Sequence, residues 1–246
     1  MNFLLANQKG TKNPGDTLSM VESRISFLEK GFYQPLSDKI NAIISLLILN
    51  EHYEKPGLIN ILDVGCGTGF YSGELEKKLK DQAQLWGIDI SKPAIQKASK
   101  KYPEIRFSLG SSFHLPFLDK STDIQFSIFS PFDPKELLRV LKPGGKIVLV
   151  RPGSHHLKEL GALIYGQFQL QGNSTNIFEG LEVSLSQEHQ VSSEIKLENN
   201  KDLLNLVNMT PYQWHLNSEN KARLAEINEF TVRVDFQVSV FEKKCN

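Results

Sequence analysis

Between residues 58 and 151, five short apolar runs alternate with stretches of helical periodicity, and this alternation restricts the chain more than any other feature. The runs are Leu58 to Val64, Leu85 to Ile90, Ile105 to Leu109, Ile124 to Phe129 and Lys146 to Val150, each short and rich in β-branched or aromatic residues. Strands covered by helices on both faces of a parallel sheet have this character. Helical patterns at 70–80, 92–101 and 134–141 lie between them and one at 155–168 follows, which makes the segment a βαβ series. Two later segments, Val191 to Leu197 and Phe230 to Phe241, alternate residue by residue, with Val232, Val234, Phe236, Val238 and Val240 on one face. They fit an antiparallel edge of the same sheet. The expected class is α/β, a mostly parallel seven-stranded sheet.

Residues 1–55 are expected to form an N-terminal helical arm or lid, and 56–246 the main domain. Asn13-Pro14-Gly15-Asp16 is turn chemistry, and Ser19 to Glu22 has capping-box spacing. A helix should therefore start near Ser19 and stop at Gly31, with Arg24 and Lys30 facing water. A second helix should follow Pro35, since Leu36, Ile40, Ile43, Ile44, Leu47 and Ile48 share one face. Gly172 to Asn176 is loop chemistry.

Composition narrows the function. Lys plus Arg and Asp plus Glu are 28 each, so no global field draws the chain to nucleic acid or an anionic membrane, and DNA is not an expected partner. Two cysteines, Cys66 and Cys245, make no disulfide framework and no zinc-ligand pair, so no metal is expected and a reducing cytoplasm fits. The most apolar run, Ala42 to Leu49, is far short of the roughly 20 residues that span a bilayer, and the first residues lack the basic region of a signal peptide. Homodimerisation is left open.

The chemistry concentrates at Ile61-Leu62-Asp63-Val64-Gly65-Cys66-Gly67-Thr68-Gly69-Phe70, a glycine-rich turn between a strand and a helix. Small residues there let a ligand touch backbone. The spacing is not G-x-G-x-x-G and the turn has no P-loop lysine, so neither a dinucleotide nor a phosphate ligand is favoured. About 20 residues on, Asp89 closes the second strand, where an acid can accept both hydroxyls of a ribose. The turn and the acid in register point to a nucleoside. Asp63, before the glycines, puts a carboxylate where a pyrophosphate would otherwise lie, which suits an amino or sulfonium cation. Taken alone, the glycines could be a tight turn and Asp89 a helix cap with Ser91. Cys66 lacks a neighbouring base and is a small buried residue rather than a nucleophile.

These residues, with Leu141-Lys142-Pro143-Gly144-Gly145 before the fifth strand, resemble the class I S-adenosylmethionine-dependent methyltransferases, which implies a Rossmann-like fold and that methyl donor. A narrower resemblance lies in Asn13 to Asp16, Phe27 to Leu36, Gly110 to Phe117 and Asn208 to Trp214, which look like the bacterial 23S ribosomal RNA guanine-N1 methyltransferases. It extends over nearly the whole chain. That family begins with a small zinc-binding module associated with RNA recognition, and this chain starts about where such a module would end, so the expectation is a donor site without it. By resemblance the donor contacts fall on Tyr33, the turn Gly65, Cys66, Gly67, Thr68, Gly69 and Phe70, then Asp89 and His156, with Ser111 and Ser112 in the adenine-side loop. Tyr33 and His156 should meet at the methionine end.

The acceptor side centres on Ser130-Pro131-Phe132 at the end of the fourth strand. Phe132 could stack a base and Asp133 could take the guanine N1 proton. Equally, Phe132 could be core and Asp133 the cap of the helix before Pro134. Ribosomal RNA is the expected partner, with a small-molecule methyltransferase and a non-catalytic donor-binding protein as rival readings.

Overall fold

The computed structural model describes residues 1–4, 14–54, 58–166 and 177–245, the side chains of 50–54 excepted. Asn13, the loop chemistry of Gly172 to Asn176 and the end of the expected 155–168 helix lie outside them. Two helices, α1 (Leu18–Glu29) and α2 (Gln34–Glu54), precede the alternating unit. That unit runs β1 (Ile59–Val64), α3 (Phe70–Leu79), β2 (Ala83–Asp89), α4 (Lys92–Lys101), β3 (Arg106–Leu109), β4 (Thr122–Ile128), α5 (Pro134–Val140) and β5 (Leu141–Pro152). The chain continues through α6 (Lys158–Tyr165), β6 (Val183–Leu197), α7 (Asn200–Asn208), α8 (Ser218–Glu226) and β7 (Phe230–Lys243).

All seven strands join one sheet in the order β3-β2-β1-β4-β5-β7-β6. The first five are mutually parallel, whereas β7 pairs antiparallel with both β5 and β6. The strand order reverses between β1 and β4, and ligands of open α/β sheets bind beyond the carboxyl ends of strands at such a switch point. Successive residues of β1 enter different cores. Ile61 joins the core under α1, α2 and α3, and Leu62 joins the opposite one with Leu137 and Val140 of α5, as the two-residue period of a strand requires. Phe27, Leu36, Ile40 and Ile44 of the arm are fully buried in the first of these cores.

Three local expectations are corrected. Thr17, not Ser19, caps α1, its hydroxyl accepting the Met20 N–H at 3.4 Å, so the helix begins one residue before Ser19. Arg24 and Lys30 do not simply face water. Lys30 Nζ donates to both oxygens of buried Asp202 at 2.7 Å, because α7 packs on the face of α1 that looked free. Lys142 to Gly145 are part of β5, which extends from Leu141 to Pro152 rather than starting at Lys146.

Candidate functional site

A cavity of about 260 Å³ opens at the carboxyl ends of β1, β2 and β4. Its walls include Asp63, Gly65, Cys66, Gly67, Thr68, Phe70, Asp89 and Tyr33, so most of the expected donor residues converge on one space. The turn that forms one wall is held from behind. The N–H groups of Gly65 and Cys66 both donate to the Ile88 carbonyl, at 2.8 and 3.0 Å. Gly65 has φ +78°, and a Cβ there would overlap the Ser130 hydroxyl, so only glycine fits. Gly69, at φ +72°, is the N-cap residue of α3 and supports the turn without lining the cavity.

Asp89 uses one oxygen to accept the Gly67 N–H at 2.8 Å and the other to accept the Ser91 N–H at 2.7 Å. Its carboxylate therefore ties the turn after β1 to the end of β2, and burial pushes its pKa above the usual carboxylate value. Asp63 is 3% exposed and accepts the Ser72 hydroxyl at 2.5 Å. Burial raises its carboxyl to about 7. Cys66 is also buried, which pushes its thiol well up and leaves it unsuited to nucleophilic work.

The cavity contains one cation that sequence reasoning left facing water. Arg24 donates through Nε and Nη2 to Asp16 Oδ2, at 3.2 and 2.7 Å, and through Nη2 to the Met209 carbonyl at 3.0 Å. Arg24 and Asp16 both line the cavity, but nothing local in the chain joins positions 16, 24 and 209.

A second cavity of about 420 Å³ lies alongside, walled by His156, Pro152, Leu157, Thr210, Pro211, Tyr212 and Trp214. The two spaces share Asp16, Arg24, Tyr33, Phe129 and Met209. Tyr33 and His156 meet, with ring centroids 6.4 Å apart, yet His156 borders only the second cavity. Its Nδ1 accepts the Asp235 N–H at 3.2 Å, which puts the ring proton on Nε2. Burial lowers its pKa to about 4, so the imidazole is neutral at physiological pH. Phe129, just beyond β4, has φ +55°, a conformation that an aromatic residue rarely adopts and that clusters at functional sites. Its ring packs against those of His156 and Phe236, with centroids 5.8 and 5.7 Å away.

Ser111, Ser112, Phe132 and Asp133 are not among the residues that line either of these two cavities. The Ser112 hydroxyl donates to the Pro131 carbonyl at 2.6 Å, and Ser111 accepts the Phe113 N–H at 3.2 Å. Phe132 stacks on Phe178 with centroids 6.5 Å apart. Asp133 caps α5 by accepting the Lys135 N–H at 2.8 Å, the structural alternative that its position before Pro134 left open.

Residues 61–145 match a family described as a methyltransferase domain. Over 94% of this chain and 82% of the other, the sequence is 28% identical to the 23S rRNA (guanine(748)-N(1))-methyltransferase of Streptomyces fradiae. It is 30% identical to YxjB of Bacillus subtilis strain 168, which carries a provisional 23S rRNA (guanine-N1)-methyltransferase name, over 86% of this chain and 75% of that one. The fold is similar to that of the Bacillus halodurans protein BH2331, with a TM-score of 0.52 at 14% identity over 81% of this chain and 98% of that one. No helix among the described residues is long and apolar enough to cross a membrane. The chain belongs to the 23S rRNA (guanine-N1)-methyltransferase family, and it is an S-adenosylmethionine-dependent methyltransferase.

Proposed function

We propose that this enzyme methylates N1 of a guanine in 23S ribosomal RNA in the cytoplasm, with the donor in the 260 Å³ cavity and the acceptor base in the adjoining space. The observation that carries the reading is the shared wall of Asp16, Arg24, Tyr33, Phe129 and Met209, where two ligands can meet without water between them. S-adenosylmethionine supplies a methyl group on a sulfonium. Asp89 accepts from the ribose hydroxyls, and the backbone of Gly65 to Thr68 lies against the nucleoside. Ser111 and Ser112 carry the loop that closes the adenine side, behind Asp89, whose carbonyl accepts the Gly110 N–H at 3.0 Å. Asp63 faces the amino group, while Arg24 and the Tyr33 hydroxyl face the carboxylate. With three acidic groups around one guanidinium, the cavity suits a cation that also carries one carboxylate. Residues 1–55, which supply Asp16, Arg24 and Tyr33, act as the lid. Catalysis comes chiefly from alignment, which can supply ~7 kcal/mol or more of a barrier.

The raised pKa of Asp63 gives a pH signature. A carboxyl whose folded value lies above its unfolded one stabilises the fold fully below the unfolded pKa, 3.8, and loses that contribution as pH rises through about 7. The ligand-free protein should therefore lose part of its stability across that window, and Asp63→Asn should abolish the trend. A cationic ligand favours the ionised form, so donor affinity should rise about tenfold between pH 6 and 8 through this one proton. Calorimetry at several pH values checks it. An undiminished slope in Asp63→Asn would contradict the placement of the amino group.

The function itself is tested by incubating unmethylated 23S ribosomal RNA with the protein and labelled donor, then digesting to nucleosides. Labelled 1-methylguanosine is the expected product. Donor binding with no label in RNA, even with cell extract added, would favour a small-molecule acceptor.

A further inference from the structure

An N1-methylating enzyme must remove a proton. In guanine the N1 atom carries hydrogen and no available lone pair, so a group at the acceptor position has to receive that hydrogen as the methyl group arrives. Among the carboxylates around the two cavities, Asp63 is bound to Ser72 and Asp89 to the turn, both on the donor side. Asp133 is committed to capping α5. Asp16 alone among the acids lines both cavities. Both of its bonds from Arg24 end on Oδ2, and no hydrogen bond among the described residues ends on Oδ1. Its backbone is fixed as well. The Ser91 hydroxyl donates to the Asp16 carbonyl at 2.8 Å, and Gly15, at φ +80°, sits so close to β2 that a Cβ would come within 2.9 Å of Ile90.

The second cavity offers a base a stacking surface. Trp214 is 67% exposed where it lines that cavity, so its indole surface is accessible to a ligand there. Indole faces hold unpaired bases by stacking, whatever the base identity. Stacking therefore cannot choose guanine. A carboxylate can, because guanine presents an N1–H donor whereas adenine presents a lone pair at N1 that would face the carboxylate's own.

We propose that Asp16 Oδ1 recognises the N1–H of the acceptor guanine and takes its proton, with the base stacked on Trp214 in the second cavity; this rests on the functional reading above. The N1–H bond breaks with its proton passing to Oδ1, the freed N1 pair forms the N1–CH3 bond, and the S–CH3 pair stays on sulfur as a neutral thioether. Arg24 holds the carboxylate in place through Oδ2. The proton then leaves to solvent from the open side of the cavity. Asp16 thus sets both rate and base choice, while Trp214 sets RNA affinity.

The test is single-turnover methyl transfer to an unmethylated 23S rRNA fragment between pH 6 and 9, using the wild-type protein, Asp16→Asn and Trp214→Ala. In parallel, S-adenosylhomocysteine affinity is measured by calorimetry and RNA binding by tryptophan fluorescence. Asp16→Asn should slow transfer about 100-fold near pH 7, within the range for loss of a general base, and recover as pH rises toward the ionisation of guanine N1 itself. Its loss of S-adenosylhomocysteine affinity should be much smaller than its loss of rate, because the asparagine oxygen can still accept from Arg24, and it should weaken the preference for guanine-containing over adenine-substituted RNA. Trp214→Ala should raise the RNA concentration needed for half-maximal rate about tenfold and remove most RNA-induced quenching. Wild-type rate and pH profile in Asp16→Asn would overturn the proposal, as would an equal loss at every pH accompanied by lost S-adenosylhomocysteine binding. If the wild-type protein transfers to no guanine N1, the functional reading itself fails.

Discussion

Asp89→Ala is expected to weaken S-adenosylmethionine binding about 100-fold while the protein remains folded. The Asp89 carboxylate performs two tasks at once. It holds the Gly67 and Ser91 N–H groups, and on our assignment it accepts the ribose hydroxyls. Hydrogen bonds to a charged group contribute about 1.5–3 kcal/mol, and leaving polar partners stranded costs the upper end of that range, near the 2.7 kcal/mol of a 100-fold loss. The fold should tolerate the change because two effects oppose each other. The half-buried carboxylate is itself disfavoured by desolvation, and its removal relieves that penalty while two backbone donors lose their partner. Calorimetry with S-adenosylhomocysteine, alongside thermal unfolding of the ligand-free variant, measures both. Unchanged affinity would remove the nucleoside from this end of the cavity.

Phe236→Ala should strongly destabilise the fold. Phe236 is 1% exposed on β7, and its ring lies 4.9 Å from Tyr33, 4.9 Å from His156 and 5.7 Å from Phe129. Truncating a fully buried phenylalanine costs about 3–5 kcal/mol from lost burial and the cavity left behind. In a chain of this size that is roughly a 10 °C fall in melting temperature. The loss should extend to function, because two of the three rings it touches, Tyr33 and Phe129, line both cavities. Transfer measured well below the melting transition should therefore fall more than Phe236→Leu reduces it. A destabilisation under 1 kcal/mol would mean that this cluster does not hold the junction together.

The parts of the fold that could be read in advance are those whose information is local. β1 to β5 are short apolar runs between helical patterns, and the donor turn is legible because strand, glycines, helix and the acid closing the next strand follow in fixed order. β6 was legible only at Val191 to Leu197, where alternating residues turn inward; from Val183 onward it is a mostly exposed edge with no apolar period. The short helix α7 buries five of its nine residues, but Asp202 and Asn205 are among them and break the apolar pattern, while α8 buries only Asn220 and Leu224. Arg24 was hidden for a different reason. Arg24 belongs to the site through Asp16, eight residues away, and Met209, 185 residues away, and neither separation leaves a signature along the chain. Asp133 was ambiguous because an acid before proline at a strand end has the same appearance whether it caps a helix or meets a base.

The arrangement as a whole depends on where the reacting sulfur lies. A crystal structure of the protein with S-adenosylhomocysteine measures that directly. The account predicts the ribose on Asp89, the homocysteine carboxylate at Arg24 and Tyr33, and the sulfur at the wall that both cavities share, between Tyr33 and Phe129. A ligand bound with its homocysteine arm pointing away from the Trp214 cavity, or with its ribose remote from Asp89, would contradict it.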